Sequence, residues 1–380
     1  MEIDSKLPNL SVNIFTQMSQ LAQEYSALNL SQGFPDFDVT PELTALVKGY
    51  MDKGLNQYAP MQGVLALRER IRSKVFKLHG ASYDTQTEIT ITSGATEALF
   101  AAITAVVNPG DEVIVFEPAY DSYVPAILLN KGIPVFLEMK YPDYRIDWNE
   151  VKDSLTDKTR LIILNSPHNP TGKILDQEDI KALGQIVEKR PIMILSDEVY
   201  EHIVFDGVSH QSMARYPELK ERSFVVSSFG KTYHTTGWKV GYCLAPKALS
   251  REFQRIHQYL TFSVNTPIQL ALADIMDKED LYLGLSEFYQ IKRDHFLSLL
   301  AGSRFRPLAC RGTFFLMLDY SRITQEKDHS FARRMTIEHG VTAIPPSVFY
   351  HDEKDHRVLR FCFAKKNQTL EKAAKILCKL

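Results

Sequence analysis

Short apolar runs punctuate the middle of the chain: Ile89-Thr90-Ile91-Thr92, Val113-Ile114-Val115-Phe116, Leu161-Ile162-Ile163-Leu164, Ile192-Met193-Ile194-Leu195 and Phe224-Val225-Val226-Ser227. Each is near-continuously apolar over four residues, the pattern of a strand buried on both faces. Helical stretches lie between several of them, among them Glu97 to Val107 and Gln177 to Glu188. The alternation predicts an α/β unit: a mostly parallel sheet covered by helices, with ligands binding beyond the carboxyl ends of the strands. One connection breaks the pattern. Only the stretch around Lys231 separates the strand ending near Ser228 from the next, Val240 to Ala245. That is short for a crossover, so an antiparallel strand is expected here.

After about Asp277 the texture changes. An amphipathic helix, Leu281 to Leu300, leads into strands at Thr313 to Met317 and Val358 to Cys362, with helices near Ser330 to His339 and Gln368 to Leu380. These predict a smaller α+β domain onto which the N-terminal segment packs. With 380 residues, two domains are expected: a large one over 45–277, and a small one formed by 1–44 and 278–380.

Composition narrows the function classes. The chain is 44% hydrophobic and 24% charged, as in ordinary soluble globular proteins. Its 44 Lys+Arg against 46 Asp+Glu leave a net charge of −2 and no basic patch, which argues against nucleic acid as a partner. No apolar run reaches the ~18 residues of a membrane helix. The start, MEIDSKLPNL, lacks the apolar core of a secretory signal. Cys243, Cys310, Cys362 and Cys378 are far apart and form no CxxC pair, so neither structural zinc nor a disulfide framework is expected. The expected location is the cytoplasm.

The candidate chemistry sits at strand ends. In "SGATEAL", Gly94 supplies a tight turn, and Ala95 and Thr96 open a helix with free N–H groups that suit a phosphate. An ordinary helix start capped by Ser93 or Gly94 reads the same way. In "NSPHNPTGK", Asn169-Pro170-Thr171-Gly172 predicts a type I turn. It is either a plain surface turn or a way to place Asn169 beside a ligand. In "IMILSDEVY", Asp197 ends an apolar run, where a carboxylate is costly unless paired. It is either a cap or structural ion pair, or the partner of a cationic ligand nitrogen, with the phenol of Tyr200 nearby. In "SSFGKTYHTTGWKVG", Lys231 lies among small and hydroxyl-bearing residues. The GKT there is no phosphate loop, because the position needing glycine five residues before the GK is Val225. One ligand uses a phosphate-type helix start, an amide, a carboxylate with a phenol, and a lysine: pyridoxal 5′-phosphate. Its aldehyde condenses with a lysine amine and its ring nitrogen pairs with an aspartate.

The motifs "LSQGFPDF", "NQYAP", "SGATEAL", "PHNPTG", "SDEVYEH", "SFGKTYHTTGWKVGY" and "RFCFA" run nearly end to end. Through them the chain resembles the class I aminotransferases of the fold-type I pyridoxal-phosphate enzymes, and within them the methionine aminotransferase and kynurenine–glutamine transaminase branch. The resemblance implies a seven-stranded sheet in the large domain and assigns roles. Lys231 would condense with the aldehyde and shuttle the proton. Asp197 would pair with the ring nitrogen, and Asn169 and Tyr200 would hydrogen-bond the ring oxygen. The amides of Ala95 and Thr96, with Ser228 and Lys239, would hold the phosphate. Tyr120, in "EPAYDSY", would stack on the ring. Tyr58 would reach the phosphate in a neighbouring protomer's site. Arg360 would grip the substrate carboxylate with help from Asn169 and the backbone at Gly33. Many aspartate-type members carry arginine where "GWKVG" has Lys239, a point charge in place of a bidentate fork. His168, His202 and His234 have no role in transamination and are expected to be structural.

The implied activity is ping-pong transfer of an amino group between a neutral hydrophobic or aromatic L-amino acid, methionine first, and a 2-oxo acid, by a homodimer. The neutral side chain follows from Thr261 to Asp274, the stretch that would face the partner's substrate: it contains no Lys or Arg and offers Phe262 and Val264. Phe15, Phe34 and Tyr120 would add aromatic surface. The alternatives are a carbon–sulfur β-lyase on the same fold and a cofactor-dependent regulator or binding module. The regulator is disfavoured because "SQGFPDF" begins at Ser31, leaving no room for a DNA-binding domain.

Overall fold

The structure, a computed structural model, describes residues 3–8 and 13–380. A two-residue strand, β1 (Leu28–Asn29), precedes the seven strands of the large sheet: β2 (Ile89–Thr92), β3 (Glu112–Glu117), β4 (Ile133–Glu138), β5 (Thr159–Asn165), β6 (Met193–Asp197), β7 (Ser223–Ser228) and β8 (Gly241–Leu244). After them come β9 (Arg306–Pro307), β10 (Phe315–Asp319), β11 (Val341–Thr342) and β12 (Val358–Cys362). The large sheet runs β2-β8-β7-β6-β5-β3-β4. Only β8 runs against its neighbours, β2 and β7. The short loop after β7 therefore makes the reversal that its length predicts.

The five predicted strands are all present, because burial on both faces leaves an apolar signature in each. Ile114, Ile162, Ile194 and Val225 point into one layer of core, while Val113, Val115, Leu161, Ile163, Phe224 and Val226 fill the other. Each such side chain, once fully buried, contributes roughly 1.5–3 kcal/mol. β4 was not anticipated. It is an edge strand bonded only to β3, partly exposed along its length. Gly132 and Pro134 at its start read as turn residues, and an edge tolerates the proline.

A third core joins distant parts of the chain. It unites Ile14, Met18 and Leu30 with Phe314 to Leu316, Phe331, Val341, Leu359, Phe361 and Leu370. β10 pairs antiparallel with β9 and β12, and β1 pairs parallel with β11. The helix expected over Leu281 to Leu300 is two pieces, Asp280–Leu283 and Leu285–Leu299. They part at Gly284, where the Asp280 carbonyl approaches within 2.8 Å of the place a Cβ would occupy. Among the described residues, no helix is long and apolar enough to cross a membrane.

Candidate active site

A cavity of about 270 Å³ opens where β2, β5, β6 and β7 end. It gathers Gly33, Ala95, Thr96, Tyr120, Asn169, Asp197, Tyr200, Ser228, Lys231, Lys239 and Arg360. Of the residues singled out for the site in the sequence, Tyr58, Phe262 and Val264 lie outside it: Tyr58 is 82% exposed and edge-on to Phe262 at 5.3 Å, and Val264 is buried in a hydrophobic core.

One end of the cavity is built for an anion. The helix Gly94–Val106 starts there, and its first amides have no partner within the helix. Ser93 does not cap it with its side chain. Its N–H donates instead to Glu97 Oε2 at 3.0 Å. Gly94 is left-handed (φ 76°), and a Cβ there would lie 3.2 Å from the Lys239 amine. At Gly241, the first residue of β8, a Cβ would come 3.0 Å from Ala95 N and 2.7 Å from the Ser227 carbonyl. Strand and helix start therefore close on each other only because that residue is glycine.

A single helical turn after β7, Phe229–Thr232, delivers Lys231. Its amine donates to the Gly33 carbonyl at 3.1 Å and lies 5.6 and 5.5 Å from the ring centres of Tyr200 and Phe314. Burial pulls its pKa down to about 8.

Asp197 ends β6 and is 3% exposed. Burial pushes its pKa up to about 6. Opposing this, Tyr123 donates to Oδ2 at 2.7 Å and the Val199 N–H donates to Oδ1 at 3.3 Å. Tyr123 is itself buried, lies edge-on to Tyr120 at 5.7 Å, and has its own pKa raised first by burial. Tyr120 also lines the cavity, and burial pushes its phenol up to about 12.

Arg360, on β12, is fully buried. It donates from Nη1 to Asn169 Oδ1 and from Nη2 to the Ser31 carbonyl, both at 2.8 Å, while Nε has no partner. Among the described residues it makes no ion pair within 4.0 Å, and its guanidinium carbon lies 4.0 Å from the Phe315 ring centre and 5.0 Å from that of Phe15. Burial draws its pKa down to about 10. A dry cation with an open nitrogen is a receptor for a carboxylate.

The loop holding Asn169 differs from the expected type I turn. Gly172 N–H bonds the His168 carbonyl at 2.8 Å, one residue earlier than such a turn requires, and the Asn169–Pro170 peptide is cis. The N–H of Asn169 is taken by Asn165 Oδ1 at 2.8 Å, and Asn165 Nδ2 donates to the Asp197 carbonyl at 2.9 Å. Asn165 thus locks the loop to β6. Asn165 and Tyr123 are the site residues that the sequence reading missed. Asn165 opens "NSPHNPTG", and Tyr123 lies three residues past Tyr120, at the start of the helix Tyr123–Leu129. Burial holds His168, His202 and His234 at pKa values of about 3, 3 and 4, so they are neutral near pH 7.

These residues fit pyridoxal 5′-phosphate by their donor chemistry. One half-buried amine, one dry carboxylate held by a phenol, and a glycine-cleared helix start share a single cavity.

The family model for aminotransferase class I and II matches residues 25–377. The chain is 53% identical to a methionine aminotransferase of Escherichia coli, over 99% of this chain and 98% of that one. It is 37% identical to a kynurenine–oxoglutarate transaminase of Dictyostelium discoideum, over 97% and 94%. Among solved structures, YbdL from Escherichia coli, identified with a methionine aminotransferase function, superposes with a TM-score of 0.98 at 52% identity, covering all of both chains.

Proposed function

The chain belongs to the class I and II aminotransferases, and from that premise we propose that it is a pyridoxal-5′-phosphate enzyme acting on methionine and other neutral hydrophobic or aromatic amino acids. The single observation that carries this is the convergence of the half-buried Lys231 with the buried Asp197 and Arg360 on one cavity beside a helix start. When bound, the cofactor supplies an aldehyde that takes up the donor's amino group and a ring that withdraws electrons from its Cα.

Ala95 and Thr96 N–H, Ser228 Oγ and the Lys239 amine would hold the phosphate, and Asn169 and Tyr200 would hydrogen-bond the ring oxygen. Asp197, ionised beside a cation, would keep the ring nitrogen protonated. Tyr120 would pack on the ring. Arg360, steadied by Asn169 and aided by the backbone at Gly33, binds the substrate carboxylate. Lys231 Nζ takes the proton from the substrate Cα. Its lowered pKa of about 8 lets a useful fraction be neutral near pH 7. A 2-oxo acid leaves and a second accepts the amino group.

The side-chain preference follows from the walls. Phe15, Phe34, Tyr120 and Phe315 are apolar, and the cavity's cations are Lys231, Lys239 and Arg360, each already assigned. A distal carboxylate would be desolvated without a partner. Methionine comes first because of the 53% identical relative. The protein is proposed to work as a cytoplasmic isologous homodimer, each subunit lending Tyr58 to its neighbour.

Borohydride treatment of the cofactor-loaded protein, followed by peptide mass spectrometry, should label Lys231, and Lys231→Ala should lose the label and nearly all transaminase activity. Label on another lysine would overturn the assignment. In single-turnover assays methionine should have a higher kcat/KM than aspartate or glutamate; the reverse order would sink the neutral pocket.

A further inference from the structure

The segment from Gln57 to Val64 has no regular secondary structure, yet its backbone groups are taken in succession. The Gln57 carbonyl accepts from Thr266 Oγ1 at 2.6 Å, that of Ala59 from Ser263 Oγ at 2.9 Å, and that of Gln62 from Ile91 N at 2.9 Å. The Met61 carbonyl accepts from His257 Nε2 at 3.0 Å. Tied down in this way, the segment holds Tyr58 outward.

His257 is fully buried on the helix Lys247–Leu260 and bonds in two directions. A carbonyl oxygen has only lone pairs, so Nε2 carries a proton. Nδ1 stands 2.9 Å from Glu97 Oε1, and the other oxygen of Glu97 accepts Ser93 N–H in the first turn of the Gly94–Val106 helix. With both histidine bonds made, one proton lies between Nδ1 and Oε1, and the pair is neutral whichever atom holds it. Without the histidine, an ionised Glu97 would sit in that first turn and oppose an anion bound there.

We propose that His257 is a positioning residue that ties the phosphate end of its own subunit's cavity to the segment lending Tyr58 to the partner subunit, and that the Glu97–His257 pair keeps this end free of net negative charge. The proposal rests on the assignment of that first turn to the cofactor phosphate.

The test compares binding of pyridoxal 5′-phosphate and of pyridoxal, which lacks the phosphate, to the cofactor-free protein by equilibrium dialysis. Dimer dissociation is measured by ultracentrifugation. His257→Phe keeps the packing against Phe253, whose ring centre lies 6.3 Å away. It should weaken pyridoxal 5′-phosphate about tenfold, the effect expected for a lost buried hydrogen bond, leave pyridoxal within about twofold, and loosen the dimer. Adding Glu97→Gln should restore most of the phosphate-dependent affinity but not the dimer. No loss, an equal loss for both compounds, or no rescue by Gln overturns the proposal. Should His257→Phe fail to fold, Glu97→Gln and Glu97→Leu decide in its place: Gln should match the parent, Leu should bind pyridoxal 5′-phosphate about fivefold more weakly with pyridoxal unchanged, and equal values for the two variants overturn it. A wild-type protein that binds both compounds equally refutes the phosphate assignment itself, and the positioning role falls with it.

Discussion

At Asp197, burial and hydrogen bonding pull in opposite directions, and burial prevails: the pKa rises from 3.8 to about 6. In the cofactor-free protein this gives a definite pH dependence. A carboxyl whose folded pKa is raised contributes stability that is fully present below its ordinary value near 4 and lost as pH rises through about 6. The difference in urea stability between parent and Asp197→Asn should therefore shift by about 2–3 kcal/mol against the parent between pH 4 and pH 7. A constant difference would show that Asp197 is not the buried acid described. Tyr123→Phe removes the 2.7 Å donor to Oδ2 and should lower kcat/KM by about 1.5–3 kcal/mol, the range for a bond to a charged group, with the variant's melting temperature near the parent's. Arg360→Lys should lose about 2 kcal/mol in kcat/KM across amino acids, because an ammonium cannot reproduce the planar fork. Lys231 and Asp197 were legible in the sequence because a charged residue ending or following an apolar run demands a partner. Tyr123 was not, since a tyrosine in "EPAYDSY" is as much at home in a core, and only the fold turns its hydroxyl onto Asp197.

Among the elements, the approach of β8 to the Gly94–Val106 helix is the least forgiving. Gly241→Ala would place a methyl 2.7 Å from the Ser227 carbonyl and 3.0 Å from Ala95 N, both backbone atoms that cannot swing aside. A loss of about 1–3 kcal/mol in urea stability is expected from overpacking, together with weaker cofactor binding. Unchanged stability would mean that the helix start can retreat. The central strands and the reversal at β8 were readable from apolar runs and loop length. β4 was hidden by its exposure at the sheet edge, and the turn at Asn169 by bonds that come from Asn165 and His168 rather than from turn residues. Gly284 could have been marked as a breaker, but the amphipathic pattern continues across it and masked the bend.

For the whole molecule, two large side chains in ring contact are exposed, Tyr58 at 82% and Phe262 at 49%, and Tyr259, three residues before Phe262 in the chain, is 87% exposed. In the homodimer proposed above, a second copy would cover them. Sedimentation should show a dimer, and Tyr58→Ala should weaken both the association and cofactor affinity. A fully active monomer at all concentrations would exclude the shared site.

The pairing of β1 with β11 also bears on how the chain is made. Leu28 lies beside Val341, the Leu30 carbonyl accepts the Cys362 N–H at 2.7 Å, and Arg360 reaches the Ser31 carbonyl. On the ribosome, the strands of the large sheet emerge while residues 341–362 are still unmade. The sheet can begin to fold, but Leu28 to Ser31 must wait for partners more than three hundred positions downstream. A stretch made early is thus among the last to find its place, and a polypeptide stalled short of Arg360 would carry Lys231 and Asp197 without the arginine that shares their cavity.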